Sequence, residues 1–249
     1  MLTTMRGLLA ATVLAGSMLA AAPAFADETE APAEITVTGN VALTTDYRFR
    51  GVSLSGGDPA IQGGITVGHA SGFYVGAWSS SIRGGAVYGE QELDVFGGWA
   101  GEVTSGLKLD AGLLYYAYPG GHVGDADYFE PYASLSAAVG PATAKVGVAY
   151  AWKQDSLGDL DNLYVYGRLD AGIPGTPLSV FGQVGYTDGP LAPDILAGGT
   201  DKNGLDYTVG ASATVFGPLS LSVAYVGTEG ASVDSLTDDT VVATLTATF

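Results

Sequence analysis

Twelve charged residues stand at alternate positions of otherwise mixed apolar and polar segments: Asp46, Arg48, Arg50, Glu92, Asp94, Lys108, Asp110, Glu130, Lys145, Arg168, Asp170 and Asp206. A spacing of two places side chains on one wall of a β-strand. Arg48 and Arg50 share such a wall with Asp46, and Glu92, Asp94 and Glu130 are expected at a similar height. Facing rows of opposite charge focus a field across a pore and sort solutes by charge. Lower down, Lys108, Asp110, Lys145, Arg168 and Asp170 could pair, and such pairs would instead tie the wall and close the lumen. Bond-making chemistry has little to build on. The two histidines, His69 and His122, stand outside any Gly-x-Ser-x-Gly motif, and there is no Cys. No catalytic residue, metal ligand set or cofactor is therefore assigned. Asp125, Asp127, Asp155, Asp159, Asp161, Asp238 and Asp239 lack the spacing of a calcium loop. They read as solvating loop charges, or as divalent-ion bridges to anionic headgroups.

The elements that must carry these charges alternate with period two. Residues 37–50 are the first such segment, with Val37, Val41, Leu43, Tyr47 and Phe49 on one wall and Asp46, Arg48 and Arg50 on the other. Eleven more follow near 60–69, 73–82, 91–100, 107–118, 128–138, 143–152, 162–172, 178–187, 205–215, 219–227 and 240–249. Connections alternate in length. Those at 51–59, 83–90, 119–127, 153–161, 188–204 and 228–239 are long, while 70–72, 101–106, 139–142, 173–177 and 216–218 are short. Long loops at one end and tight turns at the other predict an all-β fold, an antiparallel up-and-down transmembrane β-barrel of twelve strands. Each strand's charges oppose its Leu, Val and Ile positions, and burying a dozen charges in a dry core would cost several kcal/mol each. Apolar walls facing lipid and charged walls facing a wet lumen resolve the conflict. Tyr47, Tyr115, Trp152, Tyr186 and Tyr225 sit near the long-loop end of the apolar wall, as a membrane-interface girdle would. Tyr74, Trp78, Phe96, Tyr116, Tyr118, Tyr132, Tyr164, Tyr166 and Phe181 point inward and narrow the lumen.

The 249 residues carry a formal charge of −17 with only 14% charged side chains. That acidity excludes nucleic acid as a partner, and the lack of Cys excludes a disulfide scaffold. Residues 1–26 read as a secretory signal peptide: Arg6, an apolar run from Leu8 to Ala22, and Ala24-Phe25-Ala26 as the cleavage site. Residues 27–34 are then a periplasmic tail and 35–249 the barrel, placed in the cell outer membrane among lipids and lipopolysaccharide. The last strand alternates down to Phe249, an aromatic end of the type the barrel assembly machinery reads as its signal.

Thr45-Asp46-Tyr47-Arg48-Phe49-Arg50-Gly51-Val52-Ser53 and Pro59-Ala60-Ile61-Gln62-Gly63 open a broader resemblance. Gly72-Phe73-Tyr74-Val75-Gly76-Ala77-Trp78-Ser79-Ser80, Glu92-Leu93-Asp94 and Tyr116-Ala117-Tyr118-Pro119-Gly120 continue it. Over 37–135 the chain resembles the TorF family of porins of Gram-negative bacteria. The resemblance implies outer-membrane location and a pore for small hydrophilic solutes, and brings no substrate and no catalytic residue. Fourteen acids and three bases fall in the long connections, so the mouth carries about −11 and the lumen about −2. A cation-preferring channel is expected. The alternative is a non-conducting barrel whose acidic loops serve adhesion or envelope integrity. Oligomeric state is not legible.

Overall fold

A computed structural model describes residues 34–249. The expected signal peptide at 1–26 and the tail up to residue 33 lie outside the described residues. Twelve strands close into one antiparallel barrel, each paired with its neighbours in chain order. They are β1 (Ile35–Thr44), β4 (Ala60–His69), β5 (Phe73–Ser81), β6 (Gln91–Thr104), β7 (Leu107–Ala117) and β8 (Tyr128–Val139), then β9 (Ala142–Gln154), β10 (Leu160–Gly172), β11 (Leu178–Asp188), β12 (Asn203–Phe216), β13 (Leu219–Thr228) and β14 (Thr240–Thr248). Between β1 and β4 lie two short strands, β2 (Arg48–Phe49) and β3 (Val52–Ser53), which pair only with each other. The loops add two four-residue helices, Gly85–Tyr88 and Pro193–Leu196, and a 3₁₀ turn at Asp155–Leu157.

The period-two pattern decides the walls. Val41, Leu43, Ile61, Ile65, Val146, Val209 and Val241 are all more than half exposed on the outer face. Inward positions around the barrel carry Thr44, Trp78, Glu92, Asp94 and Tyr164, all nearly inaccessible. An apolar belt of this extent is stable only against lipid, and full closure removes the edges that would otherwise aggregate. Six connections lie at one end of the barrel, five and both strand termini at the other; all but one of the six are longer than any at the opposite end, the exception being 155–159, which equals 173–177 in length. Gly140-Pro141 shows how the turns are made: Val139 pairs with Ala142, and Gly140 takes a left-handed φ of 63°.

The seam joins β1 to β14 from Asn40↔Thr248 to Thr44↔Thr244. Phe249 extends it, exchanging both backbone hydrogen bonds with Gly39 at 2.7 and 2.9 Å. Its ring lies against Gly39, where a Cβ would sit 2.7 Å from Phe249 Cε2.

At the long-loop end, Tyr115, Phe129 and Trp152 stack along the outer face, with centroids 4.5 and 6.0 Å apart. Their girdle is tied to the loops by hydroxyls: Tyr115 donates to Asp127, Tyr150 to Asp161, Tyr186 to Asn203 and Tyr225 to Asp239. Two expectations need correction here. The first strand ends at Thr44 rather than running to Arg50, and Tyr47 is no girdle residue: it is 2% exposed inside the barrel. The sequence alternation carries on past Thr44, but the chain bends at Thr45 and Asp46 and turns into the lumen as the β2–β3 hairpin.

Candidate functional site: a lumen crossed by a hairpin

Residues 45–59 leave β1 and fold inward. Arg48 pairs with Ser53 and Phe49 with Val52, around a two-residue turn at Arg50-Gly51. Both turn residues have positive φ, 49° and 82°, the primed geometry that matches hairpin twist. Gly51 suits it; Arg50 holds it at a cost of about 1–2 kcal/mol. Contacts across the lumen offset that cost. Arg50 Nη2 donates to both oxygens of Glu130 on β8 at 2.7 Å. The guanidinium also lies 4.2 Å from the ring centroid of Tyr164 on β10 and 4.7 Å from that of Phe49. β8 stands five strands from β1 one way round the barrel and seven the other, so this side chain is a strut across the bore. Burial alone would lower the Arg50 pKa. The Glu130 charge and hydrogen bond, with Tyr116 and Tyr128 beside it, together outweigh burial and raise it, so Arg50 stays cationic. The turn itself rests on the far wall: a Cβ at Gly51 would come within 2.9 Å of the Gly227 carbonyl and 3.2 Å of Asp206 Cβ.

The base of the hairpin is fixed by Asp46. Its carboxylate accepts Arg48 Nε, Ser53 Oγ and Ser55 Oγ. Arg48 then reaches the last long loop, donating from Nη1 to the carbonyls of Gly51, Leu236 and Asp238 and from Nη2 to Asp238 Oδ1 at 3.2 Å. Tyr47 donates to Glu92 Oε1 at 2.7 Å, and Tyr118 to Glu92 Oε2 at 3.3 Å. Burial and the nearby Glu92 charge push both phenols well above their ordinary pKa, which keeps them donors. Tyr47 packs edge-on against Trp78 and Phe49 against Tyr116. Asp94, next to this cluster, is fully buried, and neither of its oxygens has a hydrogen-bond partner among the described residues.

The structure thus brings Arg50 and Glu130 together, with Glu92 and Asp94 on the same side. Arg48 is not aimed at those acids; Asp46 and Asp238 neutralise it instead. Asp206 accepts the Tyr164 hydroxyl at 3.2 Å beside the hairpin tip. Nearer the short turns, Arg168 pairs with its own strand neighbour Asp170, at 2.8 and 2.6 Å, and its guanidinium covers Phe181. Asp110 accepts the Tyr74 hydroxyl at 2.5 Å. Lys108 and Lys145 are in no ion pair among the described residues. Between the hairpin and the β11–β14 wall a cavity remains, lined by Thr44, Asp46, Arg48, Arg168, Phe181, Gln183 and Thr208. It has room for a few waters.

Reading from sequence missed Tyr47, Phe49 and Asp238 as parts of this arrangement. The available signal was Gly51 followed by Gly56-Gly57, turn residues placed where a continuous strand needs none. His69 ends β4 at an exposed turn, where its Nδ1 meets the Ser71 hydroxyl at 2.7 Å and the Ser71 backbone N–H at 3.1 Å. Two bonds to a residue two positions away make a turn cap.

Comparison with known proteins places the chain by sequence and by shape. It belongs to the Gcw_chp family, described as bacterial proteins of unknown function, which it matches over residues 28–249. No curated protein sequence matches it. Among solved structures it is similar to the NanC porin, with 12% identity, a TM-score of 0.56, and coverage of 86% of this chain and 99% of that one. The KdgM porin gives 9% identity and a TM-score of 0.56 over 86% and 98%. KdgM is also known in complex with disordered oligogalacturonate, at the same identity and TM-score. At these identities the likeness establishes the shared fold, a closed porin-like barrel.

Proposed function

We propose that this protein is an outer-membrane porin through which small hydrophilic solutes diffuse passively, with the 45–59 hairpin setting the bore. The observation that carries the reading is a polar, charged lumen inside an apolar exterior, crossed by a hairpin held by the Arg50–Glu130 pair. The TorF resemblance of residues 37–135 and the porin neighbours support it, and the oligogalacturonate complex of KdgM supports sugar-sized solutes. In this reading residues 1–26 export the chain, 27–34 remain periplasmic and the long loops face outward. Phe249 presents the assembly signal. The acidic mouth concentrates cations and gives a cation preference that fades with salt, because the Debye length falls from about 10 Å at 0.1 M to about 3 Å at 1 M.

Planar-bilayer recording of the purified protein tests this. Stepwise conductance with a cation-favouring reversal potential, weakening between 0.1 M and 1 M salt, is expected. A folded barrel that gives no steps would refute the channel and leave the closed-barrel alternative. An anion-favouring reversal potential at low salt would refute the mouth argument alone.

A further inference from the structure

The tip of the hairpin lies between two carboxylates, and each has a tyrosine of its own. Glu130 on β8 accepts the Tyr116 hydroxyl at 3.1 Å, besides its two bonds from Arg50. Asp206 on β12 accepts the Tyr164 hydroxyl at 3.2 Å, and Gln183 donates to that hydroxyl at 3.3 Å. β8 and β12 stand four strands apart, with Tyr164 on β10 midway between them. The Arg50 guanidinium lies 4.2 Å from the centroid of the Tyr164 ring, a favourable perch for a cation. It therefore sits over the residue that serves Asp206 while bonded to Glu130. Arg50, Glu130 and Asp206 are all buried.

Arg50 serves only one of the two acids. Its Nη2 makes both bonds to Glu130, while Nη1 has no hydrogen-bond partner among the described residues. Oδ2 of Asp206 lacks one as well. A spare donor on the cation and a spare acceptor on the anion, both shut off from water, are costly apart and complementary together. Space for that oxygen is built into the wall: a Cβ on Gly185 of β11 would collide with Asp206 Oδ2 and with the Tyr164 hydroxyl. The reach is short, because a Cβ on Gly51, next to Arg50, would lie 3.2 Å from Asp206 Cβ. The Arg50 charge already acts on Asp206 from where it stands. In either position one acid is paired and the other keeps its tyrosine, so the two are alike in charge balance. Moving Arg50 out to water would leave both carboxylates buried without a cation, which is strongly destabilising.

Resting on the porin reading, we infer that Arg50 is a side-chain gate with two berths, Glu130 and Asp206. Held by Glu130, it bars the gap between the hairpin tip and the β8 wall. Held by Asp206, it lies along the wall on which the tip already rests, and the bar is withdrawn while the hairpin stays seated. Glu130 then faces the gap without its cation, within the field of the buried and unpartnered Asp94. A gap flanked by two such carboxylates favours cations over anions. Asp206, which touches no solute path in the barred state, sets how often that gap is free.

Opposite shifts from the two acids are the test, because loss of a merely structural contact would loosen the hairpin in both cases. In planar bilayers the mature wild-type protein should step between two conductance levels. Glu130→Gln should raise the occupancy of the higher level about tenfold or more, and Asp206→Asn should lower it by a similar factor. Glu130→Asp keeps the charge and shortens the first berth by one methylene, so it should also raise that occupancy, and it stands in should the amide variant not fold. Crystal structures of the variants read the berth without conductance: Arg50 should lie on Asp206 in Glu130→Gln and on Glu130 in Asp206→Asn. Shifts of the same sign from the two acids, or an Arg50 that stays off Asp206 when Glu130 is neutral or shortened, would overturn the gate. A barrel that gives no steps but in which Arg50 changes berth keeps the two berths and loses the channel. One that conducts with Arg50 unmoved keeps the channel and loses the gate.

Discussion

Removing the strut should open the bore. Arg50 and Glu130 are 6% and 3% exposed, so Arg50→Ala leaves a buried carboxylate without its cation. Breaking one side of a buried pair costs about 3–5 kcal/mol. Charged against the seated hairpin alone, that shifts its equilibrium with a withdrawn one by about two to three and a half orders of magnitude. Three variants separate the contributions. Arg50→Ala loses the pair and keeps the φ of 49° on a side-chain-bearing residue. Arg50→Gly loses the pair but occupies that conformation freely, recovering about 1 kcal/mol. Arg50→Ala with Glu130→Gln removes the stranded charge and should recover most of the remainder. Single-channel recording reads the result as higher mean conductance and open-channel noise, greatest for Arg50→Ala and least for the double variant. Heat-modifiable migration on gels verifies that each barrel is folded. A folded Arg50→Ala barrel with wild-type conductance and noise would show that the hairpin does not limit passage.

Other expectations test other links. A protease site inserted within 188–204 should be cut on intact cells and one within 139–142 should not, and the reverse pattern would invert the orientation. Deleting Phe249 removes two seam hydrogen bonds and the ring over Gly39, a loss of about 1–3 kcal/mol, and should leave misassembled, heat-labile protein in the periplasm. Normal levels of a heat-modifiable barrel would contradict that role. Hydrogen bonds from Tyr225 and Tyr207 hold Asp239 below the ordinary carboxylate pKa, so their tether to the last loop is intact at neutral pH. A depressed native pKa gives support that is present above the unfolded value and lost as pH falls through the lowered one, below about pH 4. Proteolysis of loop 229–239 by an acid-stable protease should therefore accelerate at about pH 3 in wild type, and Asp239→Asn should already be faster at about pH 5; equal rates at both would refute the tether.

Most of the barrel was legible because closure in a membrane leaves so few ways to satisfy a chain. Period two names the walls, loop lengths name the ends, and the charge on each wall says which one is wet. The site was only half legible, for a local reason. Asp46-Tyr47-Arg48-Phe49-Arg50 alternates like β1, and an extended hairpin arm has the same period as a barrel strand. What separates them is the direction the chain takes after Thr44, and long-range partners fix that: Glu130 is eighty residues from Arg50, and Asp238 is 190 residues from Arg48. No window on the sequence contains both members of either pair. Tyr47 went to the wrong face for the same reason, since its position relative to the strand was right and the strand had already ended.

Wall and hairpin divide the filling of the lumen between them: the inward Tyr74, Trp78, Phe96, Tyr116, Tyr132 and Tyr164 are nearly inaccessible and pack in one buried cluster with Tyr47 and Phe49 of the hairpin. Several inward rings lie flat across an inward glycine of the next strand. A Cβ at Gly98 would sit 2.7 Å from the Tyr74 hydroxyl, one at Gly112 2.6 Å from that of Tyr132, and one at Gly210 2.6 Å from Phe181 Cζ. A ring packed flat covers backbone that glycine leaves bare and projects little into the bore. Were those glycines alanines, the rings would be displaced inward and the wall itself would close the channel. The hairpin packs into the space these rings leave, so wall and hairpin close the interior together. The hairpin is anchored by ion pairs at Asp46, Glu130 and Asp238 rather than by a ladder to its neighbours. A strand cannot leave a closed barrel without breaking two ladders, whereas unseating the hairpin breaks the contacts of Arg48 and Arg50, the Tyr47–Glu92 hydrogen bond and the packing of Tyr47, Phe49 and Val52. In the porin reading, permeability is therefore tuned through residues 45–59 and their partners, inside a wall that the twelve strands hold constant.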